Sequence, residues 1–185
     1  TDPRWFAEDE PFADPASLFI KPDHYIVRML YSQGIAMESL GIPRSGGEPV
    51  ETDGRRIWQV FADNLHLFRG TPSKMWLDHA LIEVLGIEEP LRPDTAGSVY
   101  DAVAEKLALP EFRPRALFNA FNIEVLATTE SPLDDLRHHD RIGESGWKGR
   151  VITAFRPDPV VDPDYEGFAE NVASLGQIAG EDSAD

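Results

Sequence analysis

The sequence contains no cysteine among its 185 residues. Disulfide frameworks, zinc–thiolate sites, iron–sulfur clusters and thiol nucleophiles are therefore excluded. Positive charge is also scarce, because 17 Lys and Arg stand against 33 Asp and Glu, for a formal net charge of −16 at pH 7. A field of this sign repels phosphate backbones and anionic lipids, so we expect neither a nucleic-acid partner nor a membrane partner.

Long apolar runs are missing, since none approaches the roughly 18 residues of a membrane-spanning helix. The first residues lack the basic and apolar regions of a secretory signal peptide. These absences predict a soluble, cytoplasmic protein. Glycine-rich phosphate loops, a nucleophile elbow and a His-Glu-x-x-His motif are also absent, so the sequence carries none of the common hydrolase or nucleotide-binding signatures.

The hydrophobic content of 42% is sufficient for a buried core. Residues 1–21 show no sustained period and are predicted to be irregular. Apolar spacing and capping residues then predict successive helices. These are 22–34, a helix capped by Asp53 and ended by Gly70, a helix from Thr71-Pro72 to Gly86, a helix capped by Asp94 or Thr95, and 113–121 with Leu117, Phe118 and Phe121 turned inward.

The character of the chain changes after residue 122. A β-branched run over 123–129 predicts a strand, and residues 150–155 are predicted to form a second strand. Helices are predicted over 132–142, between the two strands, and over 163–175. Two strands joined by a helix are expected to lie parallel with a right-handed crossover. Because two strands make no stable sheet alone, this part is expected to belong to a larger α/β domain.

Polar residues follow both predicted strands, where parallel sheets bind ligands. The first segment is 128–132, which includes Thr129, and the second is 155–158. Arg156 lies between a strand end and a proline, where its guanidinium can bind a carboxylate through two parallel hydrogen bonds. The alternative is a structural ion pair between Arg156 and Asp158 or Glu130.

The start of the first long predicted helix is a second candidate region. Backbone N–H groups at a helix amino terminus favour an anion, and Arg28 lies one turn further along. Tyr25 has a hydroxyl that can donate to a substrate oxygen. The alternative is a tyrosine buried against Met29, with only its hydroxyl at the surface.

Histidines offer little evidence of a metal site. Two Asp/His pairs, Asp134 with His138 and Asp135 with His139, have the i, i+4 spacing that a metal can use on one helix. No third ligand accompanies them, and a solvated polar helix face is the favoured interpretation. The other helical histidines are expected at the surface or in packing roles, so no metal ligand is predicted in this chain.

Three separated segments, 21–34, 113–129 and 155–158, resemble the uronate isomerase (glucuronate isomerase) family in order and spacing. Residues 58–70 and 71–86 resemble that family's helical insertion. The resemblance implies a portion of a (β/α)8 TIM barrel of the amidohydrolase superfamily. Residues 1–21 would then be a lead-in after the first barrel strand, 22–121 a helical insertion and 122–185 a βαβα portion of the barrel.

The family resemblance also implies an activity. It is the isomerisation of hexuronates, D-glucuronate to D-fructuronate and D-galacturonate to D-tagaturonate, by proton transfer through an enediol. The enzyme class is an intramolecular oxidoreductase, and a homo-oligomer is expected. This chain would be an internal portion of the enzyme and inactive alone.

Site residues follow from the same resemblance. Tyr25 would act near the reacting carbons and Arg156 would bind the substrate carboxylate, with Arg28 and Thr129 as further substrate contacts. A divalent metal such as zinc is implied for the complete enzyme, with its ligands outside this chain. Two alternatives stay open: a metal-dependent hydrolase of the same superfamily, and a non-enzymatic acidic interaction module that uses the helices of 53–86.

Overall fold

A computed structural model of the chain describes residues 2–180. Within that range, no helix is both long and apolar enough to cross a bilayer. Short 3-10 turns lie at Glu38–Leu40, Leu65–Phe68 and Pro110–Phe112, and a π-helical turn at Ala80–Val84. The helices and strands are α1 (Arg4–Glu8), α2 (Pro15–Phe19), α3 (His24–Ser32), α4 (Gly54–Asp63), α5 (Pro72–His79), α6 (Ala96–Leu107), α7 (Pro114–Ala120), β1 (Val125–Glu130), α8 (Arg137–Glu144), β2 (Arg150–Phe155), α9 (Asp158–Val161) and α10 (Phe168–Ala179).

The chain divides into two compact units. The helical unit is Pro11–Arg113, and the strand unit is Thr1–Glu10 together with Pro114–Asp185. The mostly helical content with two strands agrees with the predicted mixture for a partial α/β fold.

Helices α2 to α6 of the helical unit enclose one hydrophobic core, in which Leu30, Trp58 and Val99 are fully buried. The predicted caps are confirmed at two helix starts. The Asp53 carboxylate accepts from the Arg55 N–H at 2.9 Å, and the Thr71 hydroxyl accepts from the Lys74 N–H at 3.3 Å. Each cap satisfies a backbone donor that has no partner inside the helix, which fixes where the helix begins.

Several boundaries predicted within residues 1–70 are wrong. The segment 1–21 is not irregular, because it contains α1 and α2. Helix α3 begins at His24 and not at Pro22, since the Asp23 carboxylate accepts from the N–H groups of Tyr25 at 2.9 Å and Ile26 at 3.2 Å. The helix predicted to run to Gly70 ends as an α-helix at Asp63 and continues as a 3-10 turn.

The strand unit contains the predicted parallel pair. Strands β1 and β2 pair in register from Val125 opposite Arg150 to Glu130 opposite Phe155. Strand β2 has its predicted bounds, whereas β1 begins two residues later and ends one residue later than the predicted strand 123–129. Residues 123 and 124, the first two residues of the predicted first strand, lie outside β1, so the sheet is shorter than predicted at its amino end.

Helices α1, α7 and α8 supply the core of the strand unit. The ring of Phe6 stacks on Trp147, with centroids 5.8 Å apart, and Phe118 meets Trp147 edge-on at 5.0 Å. Arg115 ties α7 to α1, because its Nε donates to the Phe6 carbonyl at 2.7 Å. Phe121, predicted to turn inward, is 53% exposed because it follows the last turn of α7.

The helix between the strands is shorter than predicted. Helix α8 begins at Arg137, whereas the sequence predicts a helix from Pro132. The carboxylate of Asp134 accepts from the Leu136 N–H at 2.7 Å, and that of Asp135 from the Arg137 N–H at 3.1 Å. Such local bonds compete with the helical ladder, so residues 131–136 form a loop.

Candidate active site

The carboxyl ends of β1 and β2 bring the two predicted strand-end segments to one edge of the sheet. The Arg156 N–H donates to the Glu130 carbonyl at 3.2 Å, which continues the ladder one residue past β2. Thr129 is exposed, whereas Thr128 and Glu130 on either side of it are buried. Because successive side chains of a strand point to opposite faces, Thr129 and Glu130 leave the strand on opposite faces of the sheet, and both line the cavity at its end.

Arg156 makes one of the two ion pairs that were considered for it. Its Nε lies 3.4 Å from Oδ2 of Asp158, and the two side chains are 68% and 60% exposed. Its contact with Glu130 is through the main chain only. An ion pair this exposed contributes about 0–1 kcal/mol, so a substrate carboxylate can replace Asp158 at little cost.

A cavity of about 370 Å³ lies at the end of β1. Its lining combines the strand end, the loop 131–136 and the first turn of α8, with Asp2 and Pro3 from the start of the chain. The residues of β1, the loop and α8 that line it are Thr129, Glu130, Ser131, Asp134, Asp135, Arg137, His138 and His139. Arg156 is not part of this lining, so Thr129 is the predicted contact residue that faces the cavity.

The two Asp/His pairs do not share a helix face. Asp134 and Asp135 lie in the loop, and only His138 and His139 lie on α8. The favoured interpretation of a solvated face is wrong for His139, whose side chain is 13% exposed. The loop carboxylates bond to their own backbone, and the first turn of α8 lies against the sheet, where Nε2 of His139 is 2.9 Å from the Thr128 hydroxyl.

Sequence reasoning missed a polar network on this face of the sheet, in which Thr128 and Glu130 are buried and Thr153 is exposed. The Thr128 hydroxyl and Nε2 of His139 are 2.9 Å apart, within hydrogen-bond distance. The Glu130 carboxylate accepts from the Thr153 hydroxyl and lies 3.8 Å from the same His139 nitrogen. One signal is present in the sequence. Leu126, Thr128 and Glu130 are two residues apart and therefore share one face of the strand, so two polar residues follow an apolar one on the inward face.

Tyr25 and Arg28 lie together in the helical unit. Tyr25 is 60% exposed, so the alternative of a tyrosine buried against Met29 is wrong. Both residues line a groove of about 690 Å³, which also includes Phe68 and the exposed Trp76. Arg28 has no ion-pair partner among the described residues of the helical unit, so its charge is available to an anion in the groove.

A metal centre is not formed by residues 2–180, since no three His, Asp or Glu side chains in that range are placed to hold an ion together. His138 and His139 each retain a buried Nδ1 without a hydrogen-bond partner there, but Asp134 and Asp135 are engaged with the backbone. Because no three such side chains converge in this part of the chain, the residues described do not form the ligand set of a divalent metal.

A parallel strand pair with polar residues at its carboxyl ends defines a ligand-binding piece of an α/β protein. Comparison with known proteins narrows this class. The family model described as glucuronate isomerase matches residues 1–184. The chain belongs to that family.

Individual relatives agree with the family match. The uronate isomerase of Rhizorhabdus wittichii is 62% identical over 98% of this chain. The crystal structure of glucuronate isomerase from Caulobacter crescentus is 48% identical over 97% of the chain, with a TM-score of 0.90. That of uronate isomerase from Thermotoga maritima is 26% identical over 98%, with a TM-score of 0.84. The chain spans 38%, 37% and 38% of the length of these three proteins, respectively.

Proposed function

We propose that this chain is part of a longer cytoplasmic enzyme that isomerises hexuronates, D-glucuronate to D-fructuronate and D-galacturonate to D-tagaturonate. The observation that carries the proposal is the family match over residues 1–184, together with the 62% identity to a protein named uronate isomerase. Because the chain spans only about 38% of such a relative, we propose that it is inactive by itself.

The reaction exchanges an aldose for a ketose by moving a proton between C2 and C1 through an enediol. Such a step needs a hydrogen-bond donor at the carbonyl oxygen and a positioned base. The Tyr25 ring packs on His24, with centroids 4.1 Å apart, but the side chain is 60% exposed, so its hydroxyl can serve as the donor. This supports its assignment near the reacting carbons of the sugar.

The substrate carboxylate requires a cation, since the chain carries a net charge of −16. Arg156 supplies a guanidinium whose own ion pair is weak and exposed. Arg28 and Thr129 are proposed as further contacts, each within its own unit. Arg28 offers an unpaired charge beside Tyr25, and Thr129 offers a hydroxyl at the mouth of the strand-end cavity.

We place the chain in a (β/α)8 barrel of the amidohydrolase superfamily, assembled as a homo-oligomer. Residues 122–185 would be a βαβα portion of that barrel, 22–121 a helical insertion and 1–21 the lead-in. A divalent metal such as zinc would polarise substrate oxygens in the complete enzyme. We propose that its ligands lie outside this chain, and we derive no step through the metal.

The experiment that tests the proposal is an isomerase assay of the full-length gene product. D-glucuronate and D-galacturonate are the substrates, and the formation of the 2-keto product is measured. Turnover of either uronate, with no turnover by the 185-residue chain, is the expected result. Hydrolysis of a carboxylated amide or ester without isomerisation would favour the hydrolase instead. The absence of both activities would favour the interaction module of residues 53–86.

A further inference from the structure

We propose that Glu130 is a positioning residue that fixes Arg156 for the substrate carboxylate. The inference rests on the proposed function, and in particular on the role of Arg156. Glu130 contacts β2 through two different groups. Its carbonyl accepts from the Arg156 N–H at 3.2 Å, and its carboxylate accepts from the Thr153 hydroxyl. These two bonds, which we call the Glu130 clamp, hold residues 153–156 at both ends.

The burial of Glu130 indicates that the clamp is more than a surface contact. The side chain is 8% exposed, and a buried carboxylate is costly unless hydrogen-bond donors face it. The Thr153 hydroxyl is the donor that reaches it, and Nε2 of His139 lies 3.8 Å away on α8. An apolar residue at position 130 would avoid this cost and keep the main-chain bond to Arg156.

The position of Arg156 explains what the clamp can do. Its side chain is 68% exposed and pairs only weakly with Asp158, so no packing orients its guanidinium. The clamp can therefore act on Arg156 only through the backbone position from which the side chain leaves the strand. Two parallel hydrogen bonds to a carboxylate need correct alignment, and small misplacements are costly in such sites.

The test compares two substitutions at Thr153 in the full-length protein. Thr153→Val removes the hydroxyl with little change of shape, whereas Thr153→Ser retains it. We expect Thr153→Val to raise KM for D-glucuronate about tenfold, with kcat changed less than about threefold, since uniform binding is what is lost. Thr153→Ser should have a KM close to that of the wild type. Glu130→Gln keeps an acceptor oxygen and should raise KM less than Thr153→Val does.

A double-variant cycle separates positioning from a general structural role. If Thr153 acts through Arg156, adding Thr153→Val to Arg156→Met should change KM less than about twofold. Equal increases of KM in both backgrounds would overturn the inference. A fall in Tm for Thr153→Val with wild-type KM would overturn it as well.

Failure of the proposed function would be recognised separately. The rate of amide hydrogen exchange reports on the Glu130 clamp and does not depend on enzymatic activity. If the clamp restrains this strand end, Thr153→Val should speed exchange at the Arg156 N–H at least about tenfold. Unchanged exchange would contradict the clamp even in an active enzyme. Faster exchange in a full-length protein that isomerises no uronate would retain the clamp and reject the proposed function.

Discussion

The hydroxyl of Thr128 on β1 lies 2.9 Å from Nε2 of His139 on α8. Thr128 is 1% exposed, and the His139 side chain is 13% exposed. The same hydroxyl is 3.3 Å from the Ile152 carbonyl of β2. One buried oxygen therefore links both strands to the helix that connects them.

Removing the Thr128 hydroxyl should lower stability measurably. Thr128→Val keeps the branched shape and leaves the His139 nitrogen without this partner in a largely buried position. We expect the free energy of unfolding to fall by about 1–3 kcal/mol, as measured by urea denaturation. Thr129→Val on the exposed face of the same strand is the matched control, with a change within about 0.5 kcal/mol. Equal effects of the two variants would contradict the role given to this bond.

The Asp53 cap offers a second test of stability, because two of its contacts can be separated. Its Oδ1 accepts from the Arg55 N–H at 2.9 Å, and its Oδ2 lies 3.6 Å from Nε of Arg56. Asp53→Ala should cost about 1 kcal/mol through loss of the cap. Asp53→Asn keeps a capping oxygen and removes only the exposed ion pair, so its urea midpoint should stay near that of the wild type. If Asp53→Asn lowered the free energy of unfolding as much as Asp53→Ala does, the contribution of Asp53 would be due to its charge and not to the cap.

The caps also show what the sequence could reveal. Asp53 and Thr71 precede amphipathic segments, and a cap acts within a few residues of itself, so these two helix starts were predictable. The same signal is present at Asp14-Pro15, where the Asp14 carboxylate accepts from the Ser17 N–H at 2.9 Å, and it would have identified α2. The β-branched composition of β2 was sufficient to predict both of its ends.

The polar network could not be predicted in the same way. His139 becomes buried because the loop before α8 places that helix start against the sheet, and the loop itself depends on side chains that bond to their own backbone. The sequence spacing of Asp135 and His139 suggests one helix face, but the two residues belong to different elements. Similarly, the exposure of Tyr25 depends on which helices leave the groove open, and periodicity carries no information about this.

Acid should weaken one connection between α4 and α6. The Arg55 guanidinium donates hydrogen bonds to the Asp101 carboxylate, and this contact lowers the pKa of Asp101 from its ordinary value of 3.8. A carboxyl with a lowered folded-state pKa stabilises the fold above its ordinary pKa, and that contribution is lost as the pH falls through the folded-state value. We therefore expect Arg55→Met to be less stable than the wild type at neutral pH, with the difference shrinking below pH 3.8.

Urea titrations at a series of pH values measure this difference directly. Arg92 is the control, because its Nε lies 3.8 Å from an Asp94 oxygen and both side chains are exposed. Arg92→Met should show a smaller dependence on pH than Arg55→Met. A stability difference for Arg55→Met that persists unchanged below pH 3.8 would point to lost packing on Tyr100, whose ring lies 4.7 Å from the guanidinium carbon.

Tyr25→Phe should lower turnover in the complete enzyme while leaving its fold intact. The side chain is 60% exposed, so the substitution removes one hydroxyl without loss of ring packing. If the hydroxyl contacts the reacting end of the sugar, kcat/KM should fall at least about tenfold, equivalent to about 1.4 kcal/mol. Steady-state kinetics and circular dichroism measure the two effects. Tyr31→Phe, at another exposed tyrosine of α3, is the control; unchanged kinetics for Tyr25→Phe would remove Tyr25 from the site.

Substitutions of Arg156 test carboxylate recognition itself. Arg156→Lys keeps the charge but loses the paired, coplanar donors, so KM for D-glucuronate should already rise. Arg156→Met should cost more, about 2–5 kcal/mol in apparent binding, because the substrate carboxylate would be desolvated without a charged partner. The structural alternative, the ion pair with Asp158, makes the opposite prediction. It would lower Tm and leave KM unchanged.

The exposure of the ion pair between Arg156 and Asp158 allows substrate binding by Arg156 to be distinguished from a structural role. A pair whose side chains are 68% and 60% exposed contributes little to stability, so Asp158→Asn should have a Tm within a few degrees of the wild type. If Asp158 competes with the substrate for Arg156, the same variant should lower KM slightly, whereas Arg156→Lys raises it. A thermal melt and a KM measurement on both variants decide the matter. Native KM for Arg156→Lys with a lowered Tm would assign Arg156 to the fold and remove it from substrate binding.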